Sequence, residues 1–478
     1  MKKRRTLISR KWGSVIAVAA LLLLAVAAVR GRFGVLGQAS PSLRDFNATE
    51  LSFSPGDRIL VLAPHPDDES LGTGGVIQEA VREDLPVHVA FLTNGDANEW
   101  SFTLYARRPE LLSGQVEAMG EVRHNEAVAA ANILGLKPDQ LTFFGYPDFG
   151  TLRIWTAHWR DEPPARSLFT RVTQVPYKDA YRPGAAYKGE DILADLEAVI
   201  GRFKPTEVFV SHPADYNPDH EALYLFTRVA LWDLGLKAEV YPYLVHTPGW
   251  PVPRGPAPAL PLAPPPELAP QENWWTLPLT RAETNRKLAA LQQHRTQYQS
   301  NGHYLSSFVR ANELFGDYWD TALPAGEQVG PDATRPDTRA PEILEGLTEE
   351  ERAKFVGVEW KKIEREGDNL ILTAALSKPL AEGVGLSAYL FGYRPDTPFA
   401  SMPKIHVRLG ALSHAILDQS RPLNDAGVMV SRSTEEIAIR VPLSLLSNPD
   451  RAFVSARTYL GDMPLDSSVW RVLDFKGE

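Results

Sequence analysis

The chain contains no cysteine. Disulfides, thiolate metal ligands and a cysteine nucleophile are excluded together, so any metal site must be built from His, Asp and Glu. An excess of positive charge is also missing: 50 basic residues face 59 acidic ones, for a formal net charge of −9 at pH 7. Eight of the basic residues and none of the acidic ones fall in the first 32 positions, so the remainder is more acidic still. No nucleic-acid partner is expected from such a balance. No repeat of solenoid type is visible. Gly72-Thr73-Gly74-Gly75 is not followed by the Gly-Lys-Ser/Thr of a phosphate loop, so no nucleotide is expected and close helix–strand packing accounts for the glycines.

What is present begins with residues 1–32. Lys2, Lys3, Arg4, Arg5, Arg10 and Lys11 precede an uncharged stretch, Trp12 to Val29, rich in Ala, Val and Leu. Its length is near the minimum for a membrane-spanning helix, and the charge asymmetry favours a cytoplasmic N-terminus. Two readings stand: a retained signal anchor, giving a single-pass protein of the cell membrane with the rest of the chain outside the cytoplasm, or a signal peptide cleaved near Ala25-Val26-Ala27, giving a secreted or periplasmic protein. The membrane is a partner under the first.

At 478 residues, 44% of them hydrophobic, the chain is long enough for two packed domains. The first, over 48–322, alternates short apolar strands with helices. Strands are expected at Ile59–Ala63, Val87–Thr93, Leu141–Phe144, Glu207–Val210 and Val240–Val245, and helices at Leu71–Glu83, Gly120–Leu134, Asp191–Phe203, Asp219–Leu234 and Thr280–Gln299. That alternation predicts an α/β fold, a Rossmann-like, mostly parallel sheet with helices on both faces. The Pro-rich stretch 250–270 is expected as a surface loop, whose neighbours Trp250, Trp274 and Trp275 suit either sugar stacking or ordinary packing. A linker is expected at 323–341. Short β-like runs such as Leu370–Ala375, Leu386–Phe391 and Phe453–Tyr459 then predict an antiparallel β-sandwich as an accessory domain over 342–478.

Two clusters carry chemistry. The first strand runs into Pro64-His65-Pro66-Asp67-Asp68-Glu69, and the strand at Glu207–Val210 runs into Ser211-His212-Pro213-Ala214-Asp215-Tyr216-Asn217-Pro218-Asp219-His220. Both fall at carboxyl ends of expected parallel strands, where ligand crevices form in open α/β sheets. Imidazoles and carboxylates delivered there suit a zinc site, with one carboxylate as ligand and its neighbour as base. His246 and His303 are expected to make structural hydrogen bonds.

These residues resemble the LmbE/PIG-L-like de-N-acetylases: the apolar strand, His65 to Glu69 and the following glycines; Arg123 and Glu126; Gly145-Tyr146-Pro147-Asp148; His212 to His220; and Lys287, His294 and Gln297. The resemblance covers about Leu51 to Phe315. It implies a Zn2+ ion, or another divalent transition metal, on His65, Asp68 and His220. It also implies Asp67 as general base, Arg123 as substrate-binding residue and Asp219 as an outer partner that orients the site. The activity implied is hydrolysis of the N-acetyl group of an N-acetylglucosamine-type sugar, in an extracytoplasmic or exopolysaccharide glycan, with release of acetate. Deacetylation of a small N-acetylglucosaminyl conjugate, or glycan binding with weak catalysis, are the alternatives. One position departs from the family, which has His three residues before its last zinc ligand. Here that position is Asn217, whose amide can donate a hydrogen bond to an oxyanion but cannot deliver a proton. Asp67 acting in both directions, or His212, would then supply the acid.

Overall fold

The computed structural model describes residues 48–97, 113–269, 273–318, 320–333, 347–424, 426–461 and 463–476. The anchor or signal peptide expected over 1–32 lies outside the described residues. Among those described, no helix is long and apolar enough to cross a membrane.

The first half contains β1 (Ala48–Glu50), β2 (Ile59–Ala63), α1 (Asp68–Arg82), β3 (Val87–Thr93), α2 (Ser113–Leu134), β4 (Leu141–Tyr146), α3 (Thr151–Ala157), α4 (Gly189–Phe203), β5 (Glu207–Ser211), α5 (Pro218–Asp233), β6 (Glu239–Tyr243), β7 (Trp274–Pro278), α6 (Arg281–Leu291), α7 (Arg295–Leu305) and β8 (Asn312–Gly316). Five of these strands form a wholly parallel sheet in the order β4-β3-β2-β5-β6. Its two faces bury separate cores, as the period of two along a strand requires. Leu60 and Leu62 of β2 join residues of α4 and α5 on one side. Ile59, Val61 and Ala63 join residues of α1, α2 and α6 on the other. The chain steps outward from β2 to β3 and β4, then returns to place β5 on β2's other edge. The order therefore reverses between β2 and β5, and a crevice opens beyond their carboxyl ends.

The glycines after Glu69 serve packing. A Cβ on Gly72 would lie 2.4 Å from the Tyr243 ring of β6, and one on Gly75 would lie 2.4 Å from Leu279.

Three expectations need correction. The helix over Thr280–Gln299 is two helices, α6 and α7, broken where His294 turns inward to Glu69. Strands β7 and β8, with β1, form a three-stranded sheet that the apolar pattern did not suggest. Trp250 and Trp274 are buried in the core beneath the Pro-rich loop, Trp250 donating to the Ala263 carbonyl, so neither presents a face to a sugar.

The second half is a sandwich. One sheet joins β10 (Gln328–Ala333), β11 (Val358–Glu366), β12 (Asn369–Leu376), β18 (Glu436–Pro442) and β17 (Met429–Arg432). The other joins β16 (Arg421–Pro422), β15 (His414–Asp418), β14 (Lys404–Leu409), β13 (Val384–Tyr393), β19 (Arg451–Leu460), β21 (Arg471–Asp474) and β9 (Thr321–Ala322), with β20 (Met463–Ser467) beside β19. All pairings are antiparallel except β21 with β9. β10 occupies part of the stretch expected as a linker.

Strand β13 is buried along almost its whole length because both of its faces are covered. Leu386, Ala388 and Leu390 fill the space between the two sheets. Tyr389, Phe391 and Tyr393 point the other way, into the core of the α/β half. There Trp155 of α3 packs against Phe226, Phe399 and Phe453 at ring separations of 5.0 to 5.2 Å. Polar bonds tie the same seam: Tyr393 donates to Asp233, Tyr318 to the Trp470 carbonyl, and Arg160 reaches both oxygens of Asp418. Arg457 of β19 pairs with the buried Glu221 of α5. The described residues accordingly belong to one compact unit.

Candidate metal centre

The loop after β2 turns into α1 within four residues, placing Asp68 and Glu69 in the helix's first turn, where the backbone dipole favours carboxylates. The turn is strained. Asp67 adopts φ 121°, a conformation that costs a side-chain-bearing residue about 1–3 kcal/mol and persists only when its surroundings enforce it. They do: its amide donates to Glu69 Oε2 at 2.9 Å, and its carbonyl accepts from Ser70 and Leu71. Glu69 is fixed in turn by His294 at 3.0 Å. The loop after β5 ends in a capped helix. Asn217 Oδ1 accepts from the Asp219 amide and Pro218 takes the first helical position, so Asp219 and His220 emerge in the first turn of α5.

These loops bring the expected ligands together. His65 Nδ1 lies 3.1 Å from Asp68 Oδ2, and His220 Nε2 lies 3.1 Å from the same oxygen. The rings of His65 and His220 are 5.2 Å apart. All three residues are buried; carboxylates face both ring nitrogens of His220, and Asp68 Oδ1 has no hydrogen bond. Unsatisfied buried polar atoms are costly unless a ligand completes them. An oxygen and nitrogen donor set with carboxylates in excess fits a divalent cation. His65, Asp68, His220 and His246 offer ligand atoms within 4.8 Å of one another, and His65 forms a second such group with Asp148 and Asp219.

Burial alone would raise Asp68, but His220 and His65 hold it well below the usual carboxylate range. Burial pushes Asp67 up to about 6, against the nearby Arg123 guanidinium. Arg123 Nη2 lies 3.2 Å from Asp67 Oδ2, and its Nη2 and Nη1 donate to the Pro66 and Gly95 carbonyls at 2.6 Å. Gly95 is required there: it has φ +63°, and a Cβ would lie 2.3 Å from Arg123. Arg123 is thus first a clamp on the base's loop. Asp219 accepts from the amides of Phe149 and Thr151 and from the Thr151 hydroxyl, and approaches His65 Nε2 at 3.2 Å.

A cavity, part of it open to solvent, is lined among others by His65, Asp67, Arg123, Asp148, Asn217 and His246. His212 is absent from it. That residue is buried beside Trp274 with Nδ1 accepting from the Ala214 amide, so it does not stand in as the acid. The sequence suggested no role for Asp148 or Asp215, and only structural hydrogen bonds were expected of His246. Asp148 Oδ1 sits 3.1 Å from His65 Nε2; Asp215 Oδ2 sits 3.2 Å from His220 Nδ1 and accepts from the amides of Val245 and His246. Their positions at the carboxyl ends of β4, β5 and β6 were the available signal.

The fold and site together define an α/β protein with a buried imidazole–carboxylate cluster, of a composition that suits a divalent ion, at its topological switch point. By comparison, residues 60–231 match a family model described as PIG-L, GlcNAc-PI de-N-acetylase. Among relatives is the 1D-myo-inositol 2-acetamido-2-deoxy-alpha-D-glucopyranoside deacetylase of Mycolicibacterium smegmatis, 31% identical over 184 residues, covering 38% of this chain and 55% of that one. The Corynebacterium glutamicum protein of the same name is 32% identical over 177 residues, covering 37% and 53%. The chain therefore spans about half the length of these relatives. Similar solved structures include the N,N'-diacetylchitobiose deacetylase of Pyrococcus horikoshii, 18% identical with a TM-score of 0.32, covering 54% of this chain and 82% of that one. The conserved protein TT1542 of Thermus thermophilus is 21% identical with a TM-score of 0.34, covering 55% and 95%.

Proposed function

We propose that this chain is a metal-dependent hydrolase that removes the N-acetyl group from N-acetylglucosamine-type sugars. The observation that carries the reading is the meeting of His65, Asp68 and His220, drawn from loops at two strand ends, with Asp67 clamped beside them. In this reading those three residues hold the ion, with Zn2+ first among divalent candidates. When bound, the ion supplies a Lewis acid and makes water more acidic.

The chain's own groups do the rest. Asp67 takes the proton of the attacking water, and Arg123 keeps its carboxylate aimed into the cavity while offering a charge to the sugar. Asn217 uses its oxygen as helix cap, which leaves its amide NH2 to donate to the developing oxyanion. The proton held by Asp67 then passes to the leaving nitrogen, because neither Asn217 nor His212 can deliver one. Asp219 orients His65 and stays out of the reaction. One water is consumed, and acetate and a free amine are formed.

An N-acetylated carbohydrate is the partner. Action outside the cytoplasm, on a polymeric glycan, is supported by the basic and then apolar sequence of residues 1–32. A small conjugate is supported by the substrate named in the relatives, an acetamido sugar on inositol. The test is acetate release by metal-loaded protein from N-acetylglucosaminyl-inositol and from N-acetylglucosamine oligomers, with Asp67→Ala as control. Faster turnover of one class decides between them. Release from neither, with glycan affinity retained in Asp67→Ala, would replace the enzyme by a binding protein.

A further inference from the structure

The loop that follows β6 enters the same cavity. His246 lies in it, partly buried, with its ring centroid 4.8 Å from that of His220 and the planes inclined at 75°. Its ligand atom falls within 4.8 Å of those of His65, Asp68 and His220. The placement is enforced by backbone bonds. Asp215 Oδ2 accepts from the amides of Val245 and His246 at 2.8 Å each, and the same oxygen faces His220 Nδ1 at 3.2 Å. The Tyr216 amide donates to the His246 carbonyl, and the Tyr304 hydroxyl donates to that of Val245 at 2.6 Å. One carboxylate therefore holds both the first turn of α5 and the end of β6, fixing the two imidazoles in one frame.

We propose that His246 is a fourth protein ligand of the ion, so that the centre is built from three imidazoles and one carboxylate. The inference rests on the metal-centre reading above and deepens it. A catalytic zinc commonly has three protein ligands and an open position, and can expand to five ligands. With four protein residues holding it, the ion would keep a fifth position for water or substrate. The added imidazole tightens metal binding and lowers the acidity conferred on water, which places more of the proton transfer on Asp67.

The experiment measures metal affinity and cobalt spectra of the full chain, independent of turnover. Wild type is expected to bind one Zn2+ or Co2+, and Asp68→Ala to lose it. His246→Gln is expected to weaken binding by about tenfold or more, with a changed Co2+ visible spectrum and unchanged circular dichroism. His246→Cys adds the only thiol of a cysteine-free chain, so a sulfur-to-cobalt charge-transfer band would identify position 246 as a direct ligand. A His246→Gln variant that binds metal as tightly as wild type, with the same spectrum, overturns the proposal and leaves the three-ligand centre standing. Failure of wild type to bind any divalent ion overturns the metal centre itself.

Discussion

The loops at the carboxyl edge of the parallel sheet and the seam between the sheet's helices and the sandwich are both buried, yet they are built by opposite rules. At the seam, aromatic rings from both halves interlock, and bonds from Tyr393, Tyr318 and Arg457 cross it. At the sheet edge, carboxylates crowd around imidazoles, Asp67 is held in a strained conformation, and Asp68 Oδ1 goes without a hydrogen bond. Stability is concentrated in the first region and spent in the second, a division expected of a site pre-organised for a ligand. The two are joined by α5, which supplies His220 to the imidazole–carboxylate cluster and the adjacent Glu221 to Arg457 of the sandwich.

The largest expected effect is on the site side. Asp68→Ala should abolish stoichiometric metal binding and acetate release while leaving the fold intact, or somewhat stabilised, as judged by denaturant unfolding of the metal-free protein. Asp67→Asn should keep the metal and lower kcat by about 10²–10⁴-fold, the usual range for loss of a general base. Steady-state kinetics alongside metal analysis separates the two.

On the seam side the order of effects inverts. Trp155→Ala should cost about 3–5 kcal/mol of stability through the cavity it leaves, with little change in kcat per folded molecule. Arg457→Met should cost a similar amount by stranding Glu221, and the double variant Arg457→Met/Glu221→Leu should recover much of it. If Arg457→Met left stability unchanged but halted turnover, the seam would belong to the site.

The last effect is pH-dependent. Burial, then the Arg408 charge, pushes His406 down to about 3, well below the 6.5 of an exposed imidazole. The unfolded chain therefore binds a proton that the folded chain refuses. Stability from this residue is complete above pH 6.5 and is lost as pH falls toward 3, by at most about 1.4 kcal/mol per pH unit. His406→Phe, stacked in its place on Tyr389, should flatten that limb of the pH–stability curve.

Much of the parallel sheet was legible because its strands are buried on both sides and read as apolar runs, as at Ile59–Ala63 and Val87–Thr93. The metal residues were legible because both motifs are contiguous and sit at strand ends. What escaped depended on contacts distant in sequence. The break at His294 answers a carboxylate 225 residues away. Strand β11 carries charges through Lys361-Lys362 and Glu364-Arg365-Glu366, and no apolar run announces it. His246 stands alone in its segment, and only the fold of β6 beside β5 brings it to the other imidazoles.

The most direct test is to run the metal-loaded protein on an N-acetylglucosaminyl substrate in 18O-labelled water. The account predicts acetate carrying one solvent oxygen, released in step with the free amine and stopped by chelation. Acetate without label, or turnover undiminished in Asp68→Ala, would contradict it.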